Sequence, residues 1–148
     1  MDDKIKELIE DGKWINAEII IEVQGNDKTH MKDALDKLVE RLKKEEKIKV
    51  YETTFSDPET LESGLFSQHI DVKLVARDFG KMVYIALMYS PSNFEILSPK
   101  NITLPSGEAE NILADVSSIV VSLAHSVFAK QGEINRLQGT APSQKKTE

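Results

Sequence analysis

Three histidines, two strand carboxylates and one glycine-led turn are the residues of this chain whose types and spacing could carry chemistry. His30, His69 and His125 are far apart, and no two have the three- or four-residue spacing that puts ligands on one helix face. A metal site would need the fold to bring them together. Glu18 and Glu22 fall on the same side of an alternating segment, with Asp71 and Lys73 on a neighbouring one. Carboxylates so placed could act as a general acid and base, and cross-strand charge pairing is their plainer use. The chain has no cysteine, which excludes disulfides, thiolate nucleophiles, iron–sulfur clusters and cysteine-based zinc sites. It carries no phosphate loop, dinucleotide fingerprint, zinc-protease helix, nucleophile elbow or EF-hand loop. No cofactor and no metal are expected, and catalysis has little to build on.

The turn Gly25-Asn26-Asp27-Lys28, with His30 just beyond it, is the candidate ligand-binding segment. It joins a strand to a helix, and the free amides of a helix N-terminus suit an anionic group. A small anionic metabolite is the ligand this would take. Asp27 works against that use, because its own carboxylate would occupy the positive end.

The elements that position these groups can be read along the chain. Residues 3–11 make a short amphipathic helix that Gly12 ends, with Ile5, Leu8 and Ile9 on one side. Residues 16–24 alternate, placing Ala17, Ile19, Ile21 and Val23 on one face. Met31, Leu35, Leu38 and Leu42 form the apolar stripe of a helix ending near Glu46, and residues 48–55 make a second strand. Residues 56–68 read as a long connection, and residues 69–77 as a third strand. Residues 78–90 fit a helix capped by Asp78 and stopped by Ser90-Pro91, or a hairpin turning at Phe79-Gly80; the cap and the proline favour the helix. A short strand follows at 93–97, and a helix opens at Ser106 and runs to about Lys130. The order is that of an α+β, ferredoxin-like βαββαβ sandwich, an antiparallel sheet with helices on one face and extra N- and C-terminal helices. Its expected strand order is 4-1-3-2. One domain over 1–137 and a disordered tail over 138–148 complete the organisation.

The last helix carries more apolar surface than a sheet-packed helix needs. Its apolar residues cover roughly 200°, whereas a single packed face needs little more than 100°. A second copy of the chain is the natural cover, so a homodimer or higher homo-oligomer is expected. Val116, Val120, Val121, Ala124, Val127 and Phe128 are the candidate interface. Asp115, His125 and four serines between Asn111 and Ala129 argue against a bilayer span, and no membrane association is expected.

Charge narrows the partners further. The chain has 19 basic and 25 acidic residues, a net charge of −6. Residues 1–62 hold 17 acidic and 11 basic side chains, so the acidity belongs to the first elements. That surface repels nucleic acid, which requires a positive face. Sheet-based RNA binding would need stacking aromatics on the outward positions of the central strands. Those positions hold Glu18, Ile20, Glu22, Asp71, Lys73 and Val75. The N-terminus has no apolar leader, so a cytoplasmic protein is expected. Sixteen of the nineteen basic residues are lysine, a bias compatible with a thermophile.

The segments VQGNDKTHMKDALDKL and YSPSNFEILSPKNITLP resemble those of small uncharacterised archaeal α/β proteins with a ferredoxin-like core. The resemblance spans most of residues 14–130 and implies a fold and an archaeal source, but no activity. The expected role is a non-enzymatic, self-associating interaction module or a metabolite sensor similar to ACT-type modules. The alternative is a small enzyme with a site at a subunit interface around Glu18, Glu22 and His69.

Overall fold

The computed structural model describes residues 2–139. The chain divides after Leu104 into two units, the second beginning at Pro105. The first unit contains α1 (Asp3–Glu10), β1 (Ile15–Gly25), α2 (Lys28–Lys43), β2 (Ile48–Phe55), β3 (Glu59–Thr60), β4 (Phe66–Ala76), α3 (Phe79–Tyr89) and β5 (Asn93–Ser98). The second is one long helix, α4 (Ser106–Leu137).

Mixed α+β architecture follows directly from the alternation. Four strands form an antiparallel sheet in the order β2-β4-β1-β5, and the two-residue β3 adds to β4 as a fifth. The two central strands pair along their whole length, from Ile15 opposite Ala76 to Gly25 opposite Phe66. Their apolar sides fall together: Ile15, Ala17, Ile19 and Ile21 of β1 join Ile70, Val72, Leu74 and Ala76 of β4 in one buried cluster. Leu35, Val39 and Leu42 of α2 and Met82, Ile85 and Tyr89 of α3 complete that cluster, so both helices serve the same side of the sheet. At ~25 cal/mol per Å² of apolar surface removed from water, this shared burial is the main force holding the unit together.

Residues 78–90 are helical, and the hairpin alternative falls. Asp78 caps α3 by accepting from the Lys81 amide at 3.0 Å, and Ser90 leaves the helix in the left-handed conformation at φ 45°. The connection expected over 56–68 is shorter than its sequence suggests, because β4 begins at Phe66. Gly64, at φ 83°, closes a tight turn in which the Leu61 amide donates to the Leu65 carbonyl at 2.7 Å. That turn folds β3 back onto Phe66 and Ser67 and recruits the preceding polar residues into the sheet. His69 therefore lies within β4 rather than at its start.

The opposite face of the sheet is partly covered as well. Val75 of β4 is fully buried although it points away from the main cluster, and α1, which contacts β4, buries Ile5. The N-terminal helix thus uses its buried residue on the sheet. Beside Val75, Asn16 is buried and its Oδ1 accepts from the Tyr51 hydroxyl at 2.9 Å. Tyr51 sits where the β2–β4 register shifts, between Val50 and Glu52. Burial pushes its phenol above the ordinary range. Tyr84 and Tyr89 of α3 both donate to Glu45 Oε1, at 3.0 and 2.9 Å, and fasten α3 to the end of α2.

α4 extends beyond the expected end near Lys130 to Leu137, giving 32 residues and a length of ~48 Å at 1.5 Å per residue. The expected tail at 138–148 lies outside the described residues from 140 onward.

Candidate functional site

The turn between β1 and α2 is built as a self-contained cap. Gly25 ends β1 opposite Phe66, and a Cβ there would come within 3.3 Å of Met31 Cγ, so its lack of side chain lets the turn sit against α2. Asp27 accepts from the Thr29 amide at 2.8 Å and the His30 amide at 3.1 Å. These bonds, that to His30 first, hold its carboxyl below the ordinary carboxylate value. The first-turn amides that would receive an anion are therefore taken by the chain's own carboxylate. Asn26 is exposed, His30 is exposed with Nδ1 3.8 Å from Asp27, and Lys28 turns back over the Phe66 ring at 4.6 Å. Gly25, Asn26, Asp27, Lys28 and His30 are thus neighbours that do not converge on a common point.

The second constellation comes together only in pairs, because Glu18 and Glu22 lie four residues apart along the strand. Glu22 lies directly opposite His69, and Glu18 opposite Lys73, on the face away from α2 and α3. Each carboxylate has a different neighbourhood. Glu22 accepts from Ser67 Oγ at 2.6 Å and Gln24 Nε2 at 3.2 Å, and the Ser67 bond above all holds its pKa below the usual 4.5. A carboxylate so held is a weak proton acceptor at neutral pH. Lys73 pairs with Glu52 of β2 at 2.6 Å, and that bond raises its pKa. On its other side Glu18 faces Glu95 of β5. The arrangement is a charge-paired, largely solvated sheet face. Among the described residues, no three histidine or carboxylate side chains are grouped to hold a metal ion.

α4 carries the third set. None of its described residues is buried, although Leu113, Val120, Val121, Leu123, Val127, Phe128 and Leu137 are large and apolar. Of the candidate interface residues, Val120, Val121, Val127 and Phe128 are more than half exposed, and Val116 and Ala124 are partly covered. Ile112, Val116, Ile119, Leu123, Val127, Ile134 and Leu137 recur at steps that sum from threes and fours, one seam along the helix. Lys130 is the polar residue on that seam, and the consecutive four-residue steps 119–123–127 are a stutter in the heptad pattern. The narrow arc left outside the whole apolar surface holds Asp115, Ser118, Ser122 and His125, with Ser126 at its margin. By length and composition the helix is also able to cross a membrane.

One buried polar residue of β4 is not apparent from the sequence pattern. Gln68 continues the even-numbered alternation of Ile70, Val72 and Leu74, and so points into the layer beneath α2. The alternation was the available signal, hidden by reading 56–68 as a connection.

In comparison with known proteins, the model of the MJ0538 family matches residues 16–146. Both segments whose resemblance was read from sequence fall inside that range. No curated protein matches the chain, and no solved structure does.

Proposed function

The chain belongs to the MJ0538 family, and we propose that it is a non-enzymatic interaction module that self-associates through α4. The observation that carries this reading is a helix of 32 residues with an apolar seam and no buried residue. Large apolar side chains left in water favour association, at about 1.5–3 kcal/mol for each one fully buried. A second copy presents the same seam, so a two-fold arrangement can cover both helices at once. Lipid on all sides would be a poorer cover, because it would strand Asp115, His125 and the serine arc without water. We read the first unit as a ferredoxin-like sandwich, supported by the strand order and by two helices that share one core with the sheet. The enzyme alternative around Glu18, Glu22 and His69 has weaker support, because Glu22 is held ionised and Lys73 is already paired.

Light scattering of the full chain at micromolar concentration tests the proposal. A mass of two or more chains in detergent-free buffer is the expected result. A clean monomer, or a protein recovered only from membranes with detergent, would overturn it.

A further inference from the structure

The buried polar residues described in this fold are Asn16 and Gln68. Asn16 is answered by Tyr51, whereas Gln68 is answered only in part. It is 5% exposed, its Nε2 donates to the Ser56 carbonyl at 2.9 Å, and its Oε1 meets no donor. An acceptor buried without a partner costs about 1–3 kcal/mol. Gln68 also lines a cavity of about 410 Å³ between the first turns of α2 and the chain leaving β2. Such a volume suits a small ligand.

The walls of the cavity carry both signs of charge. α2 supplies Lys28, Lys32 and Asp33, the β2 exit supplies Asp57, and Phe55 and Pro58 give an apolar side. Lys32, Asp33 and Asp57 have no ion-pair partner among the described residues. Two cations and two carboxylates balance, so a plain anion would meet Asp33 and Asp57, and a plain cation would meet the lysines. The amides of the α2 N-terminus add nothing, because Asp27 closes them.

We propose that this cavity binds a small zwitterion, an anionic group and an ammonium joined by a short carbon chain. The lysine ammonium groups hold its anionic end. Its N–H donors face Asp57, and its carbon chain lies against Phe55 and Pro58. A shift of the Gln68 side chain that opens Oε1 to the cavity gives that acceptor the partner it lacks. This site goes beyond the self-association reading and does not rest on it, since every wall residue lies between Lys28 and Gln68 of the first unit.

Thermal melting of the full chain tests the site with glycine, serine, lysine, glutamate, β-alanine and taurine, and with acetate and methylamine as half-molecules. At least one zwitterion should raise the melting temperature reproducibly, while neither half-molecule does so at equal concentration. Calorimetric titration of that zwitterion should show binding weakened on the order of tenfold by Lys32→Ser, an exposed change that leaves the fold intact. Gln68→Met should weaken it as well. The proposal fails if no zwitterion shifts the melting temperature, if acetate or methylamine alone reproduces the shift, or if Lys32→Ser binds as tightly as the parent chain.

Discussion

Replacing Leu123 and Val127 together by serine should dissociate the assembly while leaving the first unit folded. Both side chains lie on the apolar seam of α4, and they are 57% and 65% exposed in the single chain. Complete burial of a leucine or valine is worth about 1.5–3 kcal/mol, so covering the remaining surface leaves about 1–2 kcal/mol to gain from each. A two-fold dimer counts every substitution twice. The four side chains together therefore supply about 4–6 kcal/mol, allowing for incomplete cover. At 1.4 kcal/mol per factor of ten, the dissociation constant should rise about a thousand- to ten-thousand-fold. Sedimentation equilibrium over a concentration series measures this shift, with far-ultraviolet circular dichroism to confirm that helix content survives. Ser118→Ala with Ser122→Ala, on the polar arc outside the seam, is the control and should leave the constant within about threefold. An unchanged constant in the Leu123/Val127 double variant, or an equal effect from the serine pair, would refute the assignment of the seam.

The remaining predictions concern the first unit. Leu35→Ala, beneath the middle of α2 and fully buried, should cost about 2–5 kcal/mol in denaturant unfolding. Glu45→Ala removes the shared acceptor of Tyr84 and Tyr89 and should cost about 1–3 kcal/mol, because Tyr89 is buried. Burial first, and then Glu45, push the Tyr89 phenol above its ordinary value of 10.0. The fold therefore favours the neutral phenol, and this contribution is present below pH 10 and lost as pH rises through the folded pKa. Removing Glu45 should move tyrosinate absorbance to lower pH. Ser67→Ala should raise the Glu22 pKa toward 4.5, as read by carboxyl-carbon NMR. Since the Glu22 pKa is depressed in the fold, its contribution is present above pH 4.5 and lost as pH falls through the folded value. The Ser67 variant should accordingly show a shallower loss of stability in acid.

Local pattern carried most of the first unit. The alternation in 16–24 and 69–77 and the stripe from Met31 to Leu42 reflect side-chain periods of 2 and 3.6, which depend on nearest neighbours alone. Asp78 and Ser90-Pro91 likewise mark α3 by caps that act within one turn. The candidate site was less legible. The side chains at 25–30 are contiguous in sequence, yet Asp27 closes the turn on itself while Lys28 leans back on Phe66. Lys32, Ser56 and Gln68 are scattered in sequence, and packing alone lines them along one cavity.

By itself, then, the sequence determined the order of the four long strands' cores and of the helices other than α3, the apolar excess of the last helix and the absence of thiol chemistry. Tertiary structure decided three other matters. It set which charges are already paired, with Lys73 on Glu52 of β2 rather than on Glu18 of β1, both of which lie opposite it. It drew Phe66 to Gln68 out of an apparent loop and into β4, through the turn at Gly64. It also left Gln68 Oε1 buried without a donor. The physical reason is the same in each case. Helix and strand periods are local properties of the backbone, whereas hydrogen-bond satisfaction and charge pairing depend on distances between segments that only folding brings together.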